Sequence, residues 1–162
     1  GPQHVIVKFS GVERTPATQR WSDLLVAEHH ALQTLGALGV SVAHSAVHHA
    51  GGRTFLEVSR FDRIGAHGRR PVCSIGALNA ALLGRAGAGW SALAAALHAR
   101  RWLDWAGVSQ VQNAWWFGRL IANTDMHEGN FAFHPGLEPA PVYDMLPMQY
   151  PEWKHLRKSM SH

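Results

Sequence analysis

Asn123-Thr124-Asp125-Met126-His127-Glu128-Gly129-Asn130, with Tyr143-Asp144 following after a short gap, is the stretch that decides how this chain reads. An Asp is followed five residues later by an Asn and, fourteen residues after that Asn, by a second Asp. Phosphoryl transfer uses those parts in that order. One carboxylate orients an attacking hydroxyl and accepts its proton, while an amide oxygen and a second carboxylate hold magnesium. Magnesium is a hard cation that takes oxygen ligands, commonly one or two protein carboxylates together with substrate phosphates. Asp and Asn are also ordinary turn residues, so an isolated Asp-x-x-x-x-Asn carries little weight. The second Asp in register changes that. Asp125 is the candidate catalytic base, Asn130 shares the catalytic loop and is a candidate metal ligand, and Asp144 is the candidate principal metal ligand.

The neighbouring words extend the pattern. Gly118-Arg119-Leu120-Ile121-Ala122-Asn123 leads into the loop and Ala140-Pro141-Val142-Tyr143-Asp144 closes it. Upstream lie Val5-Ile6-Val7-Lys8-Phe9, Arg20-Trp21-Ser22-Asp23-Leu24-Leu25, Ala27-Glu28-His29 and Val58-Ser59-Arg60-Phe61-Asp62-Arg63. Taken together these segments resemble the HipA-like serine/threonine kinases, bacterial enzymes of which many are toxins of toxin–antitoxin pairs. The wording around Arg20 and Gly118 resembles the diverged toxinoid subgroup of that family. The matches run from Lys8 to Asp144 and so span most of the chain.

The resemblance implies an α+β, two-lobed, protein-kinase-like fold that uses ATP and Mg2+. Lys8 then neutralises phosphate oxygens and is held by Glu28. Ser59, Phe61 and Asp62 form the adenine-side connector, with Phe61 as apolar cover and Asp62 near the ribose, although Arg60 and Asp62 could simply pair with each other. His127 is counted with the nucleotide-side residues, its plainer role being to brace the loop by hydrogen bonds. The implied reaction moves the γ-phosphoryl group of ATP to a Ser or Thr hydroxyl of a protein substrate. The rival is a toxinoid pseudokinase that acts by binding a nucleotide or a partner. Implied partners are a DNA-binding antitoxin or an upstream DNA-binding domain.

Three departures from the family pattern stand out. Ser59 replaces the usual Glu of the connector, Gly129 stands where relatives often carry a basic residue, and no Gly-rich phosphate loop precedes Lys8. The expectation is a catalytic domain without its lid over ATP and with little activity alone. Residues 1–62 are read as the remnant of an N-lobe truncated before the Lys-bearing strand. Residues 63–150 are read as an incomplete helical C-lobe with the catalytic loop, and 151–162 as a polar tail.

Composition sets outer bounds. The 162 residues suffice for one domain, and 46% hydrophobic content with seven Trp and six Phe supplies a core. No apolar run approaches the roughly 18 residues a membrane helix needs, and the first residues lack a signal-peptide core. The single Cys73 excludes an internal disulfide, which suits the cytoplasm. A net charge of +4 is spread over short basic groups such as Arg69-Arg70 and Arg100-Arg101, so direct nucleic-acid binding is not indicated. The twelve histidines invite a zinc reading, but neither His-Glu-x-x-His nor Cys-x-x-Cys occurs, and zinc needs three or four converging ligands. No Gly-x-Ser-x-Gly elbow supports hydrolase chemistry.

The pattern of elements predicts a strand over 5–9 and a loop over 11–19. A helix capped by Ser22 should end near Gly36 or Gly39. Strands over 40–48 and 53–59 should turn at Gly51-Gly52, with a loop over 65–71. Helices are expected from Ser74 to about Leu83, from Ser91 toward Arg100, and from Ser109 or Gln110 to the catalytic loop. Short strands over 131–134 and 141–143 should flank a turn at Gly136. The Trp115-Trp116-Phe117 run is read as core.

Overall fold

The β-branched and aromatic run after His4 forms strand β1 (Val5–Phe9) in the computed structural model, which describes residues 3–148. Strands β2 (Ser45–Ala50) and β3 (Arg53–Ser59) make a hairpin. Its turn residues Gly51 and Gly52 have φ of 55° and 73°, a conformation that two-residue hairpin turns require and glycine adopts without strain. β1 pairs antiparallel with β3, giving the order β1-β3-β2. Thr54, Leu56 and Val58 alternate inward along β3. Lys8 stands directly opposite Leu56, so both side chains leave the same face of the sheet.

Helix α1 (Pro16–Ala37) covers that face, and it starts earlier than the sequence suggested. Thr15 is the N-cap, its hydroxyl accepting from Thr18 N at 3.1 Å, with Pro16 in the first turn. Proline fits there because the first helical N–H groups have no partner. Ser22, expected as the cap, instead bonds the Thr54 hydroxyl at 2.6 Å and ties α1 to β3. The helix ends as expected, with Gly39 at φ 84° just beyond it.

A small hairpin of β4 (Arg63–Ile64) and β5 (Gly68–Arg69) occupies part of the region read as loop. Strand β6 (Cys73–Ser74) then leads into α2 (Ile75–Leu78), capped by Ser74 as expected. The helix does not run on regularly to Leu83. It widens into a π-helical turn, Asn79–Leu83, closed by Gly84 at φ 64°. Helix α3 (Trp90–Ala99) begins after Gly89 rather than at Ser91. Helix α4 (Trp105–Leu120) begins well before Ser109, because Asp104 caps it by accepting from Gly107 N at 2.7 Å. Trp115 packs on the core, whereas Trp116 is 59% exposed, against the reading of the whole Trp115–Phe117 run as core. Strands β7 (Ala132–His134) and β8 (Glu138–Pro139) complete a second sheet, β6-β7-β8. The strand expected over 141–143 is only a parallel bridge between Val142 and Val42. The predicted tail, 151–162, lies outside the described residues.

Two cores result. Leu25, Ala43, Leu56 and Val58 lie between α1 and the first sheet. A larger one gathers Leu32 and Leu35 of α1 with Ile75, Trp90, Leu93, Leu97, Val108, Val111, Phe131 and Phe133. The α+β architecture is therefore two-lobed, with α1 contributing to both cores and residues 60–62 leading out of the first sheet. Leu93 is fully buried, so Leu93→Ala should cost about 2–5 kcal/mol in denaturant unfolding. A loss under about 1 kcal/mol would show that the helical half is not close-packed.

Candidate active site

Between the two lobes lies a cleft of about 270 Å³ with apolar walls from Ile6, Val58, Val72 and Ala132. Residues 59–62 border it on the connector side, and Lys8, Tyr143 and Asp144 bring polar groups to it. A larger groove of about 720 Å³ separates α1 from the end of α4, lined by Val26, Phe117 and Leu120 among others. That groove has no comparable cluster of opposed charges, so the smaller cleft is the candidate site.

Lys8 donates to both oxygens of Glu28, at 2.8 and 2.9 Å, and to Asp144 Oδ1 at 2.6 Å. The three residues come from β1, α1 and the segment after β8. Burial works against a charged Lys8, but the carboxylates of Glu28 and Asp144 outweigh it and hold its pKa above the ordinary 10.5. Glu28 is 2% exposed, and burial raises its pKa above the ordinary carboxyl value despite Lys8. Asp144 has φ 51°, in the left-handed region that Asp tolerates better than most residues. Its approach is fixed by Val142, whose N–H donates to Ser41 O at 2.9 Å and whose carbonyl accepts from Ala43 N at 2.8 Å.

The catalytic-loop candidates are held by their backbone. α4 ends at Leu120, Ala122 follows at φ 54°, and Asn123 N returns to Gly118 O at 2.9 Å. The buried Asn123 accepts from Asp125 N at 3.0 Å, and Asn130 Nδ2 donates to Asp125 O at 2.7 Å. Both amide groups of the Asp125 main chain are thereby used, and its side chain is left 54% exposed. Asp125 Oδ1 lies 3.8 Å from His127 Nε2, while His127 Nδ1 accepts from Gly129 N at 3.0 Å. His127 therefore braces the loop and is not among the residues lining the cleft. Tyr143 OH donates to Gly129 O at 3.0 Å, joining the Asp144 segment to the loop beside Asn130. Trp90 Nε1 donates to His127 O at 3.0 Å from below.

At the connector, Arg60 grips Asp62 through two bonds of 2.8 and 2.6 Å, and Arg63 adds a third contact at 3.0 Å. The hydrogen bond from Arg60, then its charge and that of Arg63, lower the Asp62 pKa below the usual carboxylate value, against some burial. Asp62 is at the cleft but pairs with the arginines. Ser59 N and Arg60 N are used by His44 O and His4 O at 2.8 Å each. Phe61 packs against Tyr143 with tilted rings, centroids 5.4 Å apart, and lines the cleft.

Of the sequence-derived candidates, Lys8 touches both Glu28 and Asp144, whereas Asp125 and Asn130 share one anchored loop and, like His127, do not line the cleft. Among the described residues no three His, Cys, Asp or Glu side chains gather as a metal-binding cluster. Sequence reasoning missed the supports, namely Asn123, Trp90, Tyr143, and the pair Asn79 and Glu128. Asn123, Glu128 and Tyr143 stood inside the quoted motif without an assigned role, whereas Trp90 and Asn79 carried no signal.

The chain is 41% identical over 154 residues to toxin YjjJ of Escherichia coli (strain K12), a match covering 93% of the chain and 34% of that protein. It therefore spans about a third of the length of this curated relative. Its fold superposes on HipA of Shewanella oneidensis MR-1, solved in complex with HipB and operator DNA, with TM-score 0.65 and 25% identity. That match covers 91% of this chain and 38% of the HipA chain. The Helicobacter pylori proinflammatory kinase CtkA shares the fold at TM-score 0.63 and 14% identity, covering 98% of this chain and 55% of CtkA. The family profile of the HipA-like C-terminal domain matches residues 1–162, and the chain belongs to that family.

Proposed function

We propose that this domain is the catalytic part of an ATP- and Mg2+-dependent protein kinase of HipA-like toxin type, acting on a Ser or Thr hydroxyl. The carrying observation is the convergence of Lys8, Glu28 and Asp144 at an apolar cleft whose neighbouring loop presents Asp125 to solvent. In this reading the apolar walls take the adenine ring and Lys8 neutralises phosphate oxygens. Asp125 orients the acceptor hydroxyl and takes its proton.

Asn130 and Asp144 fit the magnesium role by their chemistry. Asn130 spends its Nδ2 on Asp125 O, leaving Oδ1 without a partner among the described residues. Asp144 uses Oδ1 on Lys8 and keeps its second oxygen. Amide and carboxylate oxygens suit a hard cation, which when bound supplies charge neutralisation to the transferring phosphoryl group. Isothermal titration of the full-length protein with ATP checks this: affinity should be higher with magnesium than with EDTA, and Asp144→Asn should erase the difference. Equal affinities with and without magnesium remove the metal role.

By likeness to the HipA–HipB assembly, the full-length protein is proposed to pair with a DNA-binding antitoxin. Among the described residues no helix is long and apolar enough to cross a membrane. One observation favours a second reading. The Lys8–Asp144 bond occupies an oxygen of the metal-binding Asp, as would suit a pseudokinase that binds partners instead of transferring phosphate.

A further inference from the structure

We propose that Asn79 and Glu128 are positioning residues, forming a clasp that fixes the catalytic loop against the glycine-rich segment 84–89; the catalytic part of this inference rests on the kinase reading above. Asn79 is 6% exposed and uses both ends of its side-chain amide. Oδ1 accepts from Arg85 N at 2.9 Å, and Nδ2 donates to Arg85 O at 2.9 Å and to Glu128 Oε2 at 3.1 Å. Glu128 lies between Asp125 and Asn130, so one buried amide links the loop to a different part of the chain. Among the described residues no cation pairs with the Glu128 carboxylate. Its hydrogen-bond partner there is the neutral Asn79.

The surrounding backbone is shaped for this contact. At Asn79 the helix widens to a π turn, with Gly84 N donating to Asn79 O at 2.7 Å and Gly84 at φ 64°. The wider turn brings Arg85 back over the Asn79 side chain. Such turns are rare and concentrate at functional sites. On the other side, a Cβ on Gly76 would sit 3.0 Å from Glu128 Cβ and 3.3 Å from its Oε2, so α2 packs directly on the acidic residue. The Trp90–His127 bond anchors the neighbouring loop residue from the same region. Asp125, held at both main-chain groups by Asn123 and Asn130, inherits its position from this support.

Two readouts in the full-length protein test the clasp. Glu128→Ala and Asn79→Ala should each lower kcat for phosphoryl transfer by about tenfold or more, since small misplacement of a reacting group costs up to about 100-fold. The nucleotide KM should stay near wild type, because the cleft-lining residues are untouched. Glu128→Gln keeps an oxygen acceptor and should restore the rate. Removing both partners should be no worse than removing one, because a shared interaction is lost once. Hydrogen exchange provides the activity-independent arm: both alanine variants should speed exchange over 125–130 while α3 and α4 stay protected. A changed KM with unchanged kcat, additive losses, or Glu128→Gln as slow as Glu128→Ala overturns the positioning role. If the wild type transfers no phosphate, the kinase reading fails, and exchange alone decides the clasp; unaltered exchange over 125–130 then refutes it. Should Asn79→Ala unfold, the two Glu128 variants still decide.

Discussion

Asp125→Asn is expected to abolish phosphoryl transfer by the full-length protein while nucleotide affinity changes by less than about 1.4 kcal/mol, or tenfold. The substitution keeps the size of the side chain and one acceptor oxygen but removes the group that takes a proton. Positioned general bases contribute about 10²–10⁴-fold, which is the expected loss. The fold should survive, since the structural bonds of residue 125 run through its main chain to Asn123 and Asn130. Its side chain is more than half exposed, and substitutions at such positions are usually worth less than about 0.5 kcal/mol. Radiolabelled ATP with a lysate as acceptor gives the assay without knowledge of the target. A wild type that binds Mg-ATP and labels nothing, itself included, establishes the pseudokinase reading. Equal labelling by both proteins assigns the chemistry to another residue.

The chemical residues were legible because each is a charge or amide at a fixed distance along the chain. Asp125, Asn130 and Asp144 form a pattern with little freedom, and Lys8 stands alone in an apolar strand. Their convergence follows from pairing: Lys8 opposite Leu56 must face α1, and Glu28 is on the buried side of that helix. Element boundaries were less legible, because capping competes with composition. Pro16 and Asp104 look like loop residues in isolation, yet each fits the start of a helix, where backbone N–H groups lack partners. The π turn at Asn79 was invisible for a different reason. Its Asn-Ala-Ala-Leu-Leu sequence suits an ordinary helix, and only the return of Arg85 onto Asn79 distinguishes it. Trp90, which supports the site through a side-chain bond to distant backbone, carries no local spacing at all.

Lys8→Ala is expected to lower both stability and nucleotide affinity. The reason is Glu28. It is 2% exposed, and Lys8 is the cation that pairs with it, while Asp144 contributes a second carboxylate nearby. Breaking one partner of a buried ion pair leaves an uncompensated charge and costs about 3–5 kcal/mol. Glu28 can escape that cost by taking a proton. Burial already holds its pKa above the ordinary 4.5, with Asp144 pushing the same way and Lys8 opposing. Deleting Lys8 removes the opposition and raises the carboxyl further. A carboxyl raised in the folded state stabilises fully below its unfolded value and loses that contribution as pH rises through the folded value. The deficit of Lys8→Ala should therefore shrink from pH 7 toward pH 5, as Glu28 becomes neutral. At neutral pH, Lys8→Ala/Glu28→Gln should recover much of the lost stability, because no buried charge remains to be paired. Nucleotide affinity should not recover in that double variant, since the phosphate-neutralising cation is still missing. Denaturant unfolding at the two pH values, with titration calorimetry on both variants, separates these effects. A Lys8→Ala protein as stable as wild type at pH 7 would mean that Glu28 reaches water when its partner is gone, and that α1 is not held to β1 by this pair.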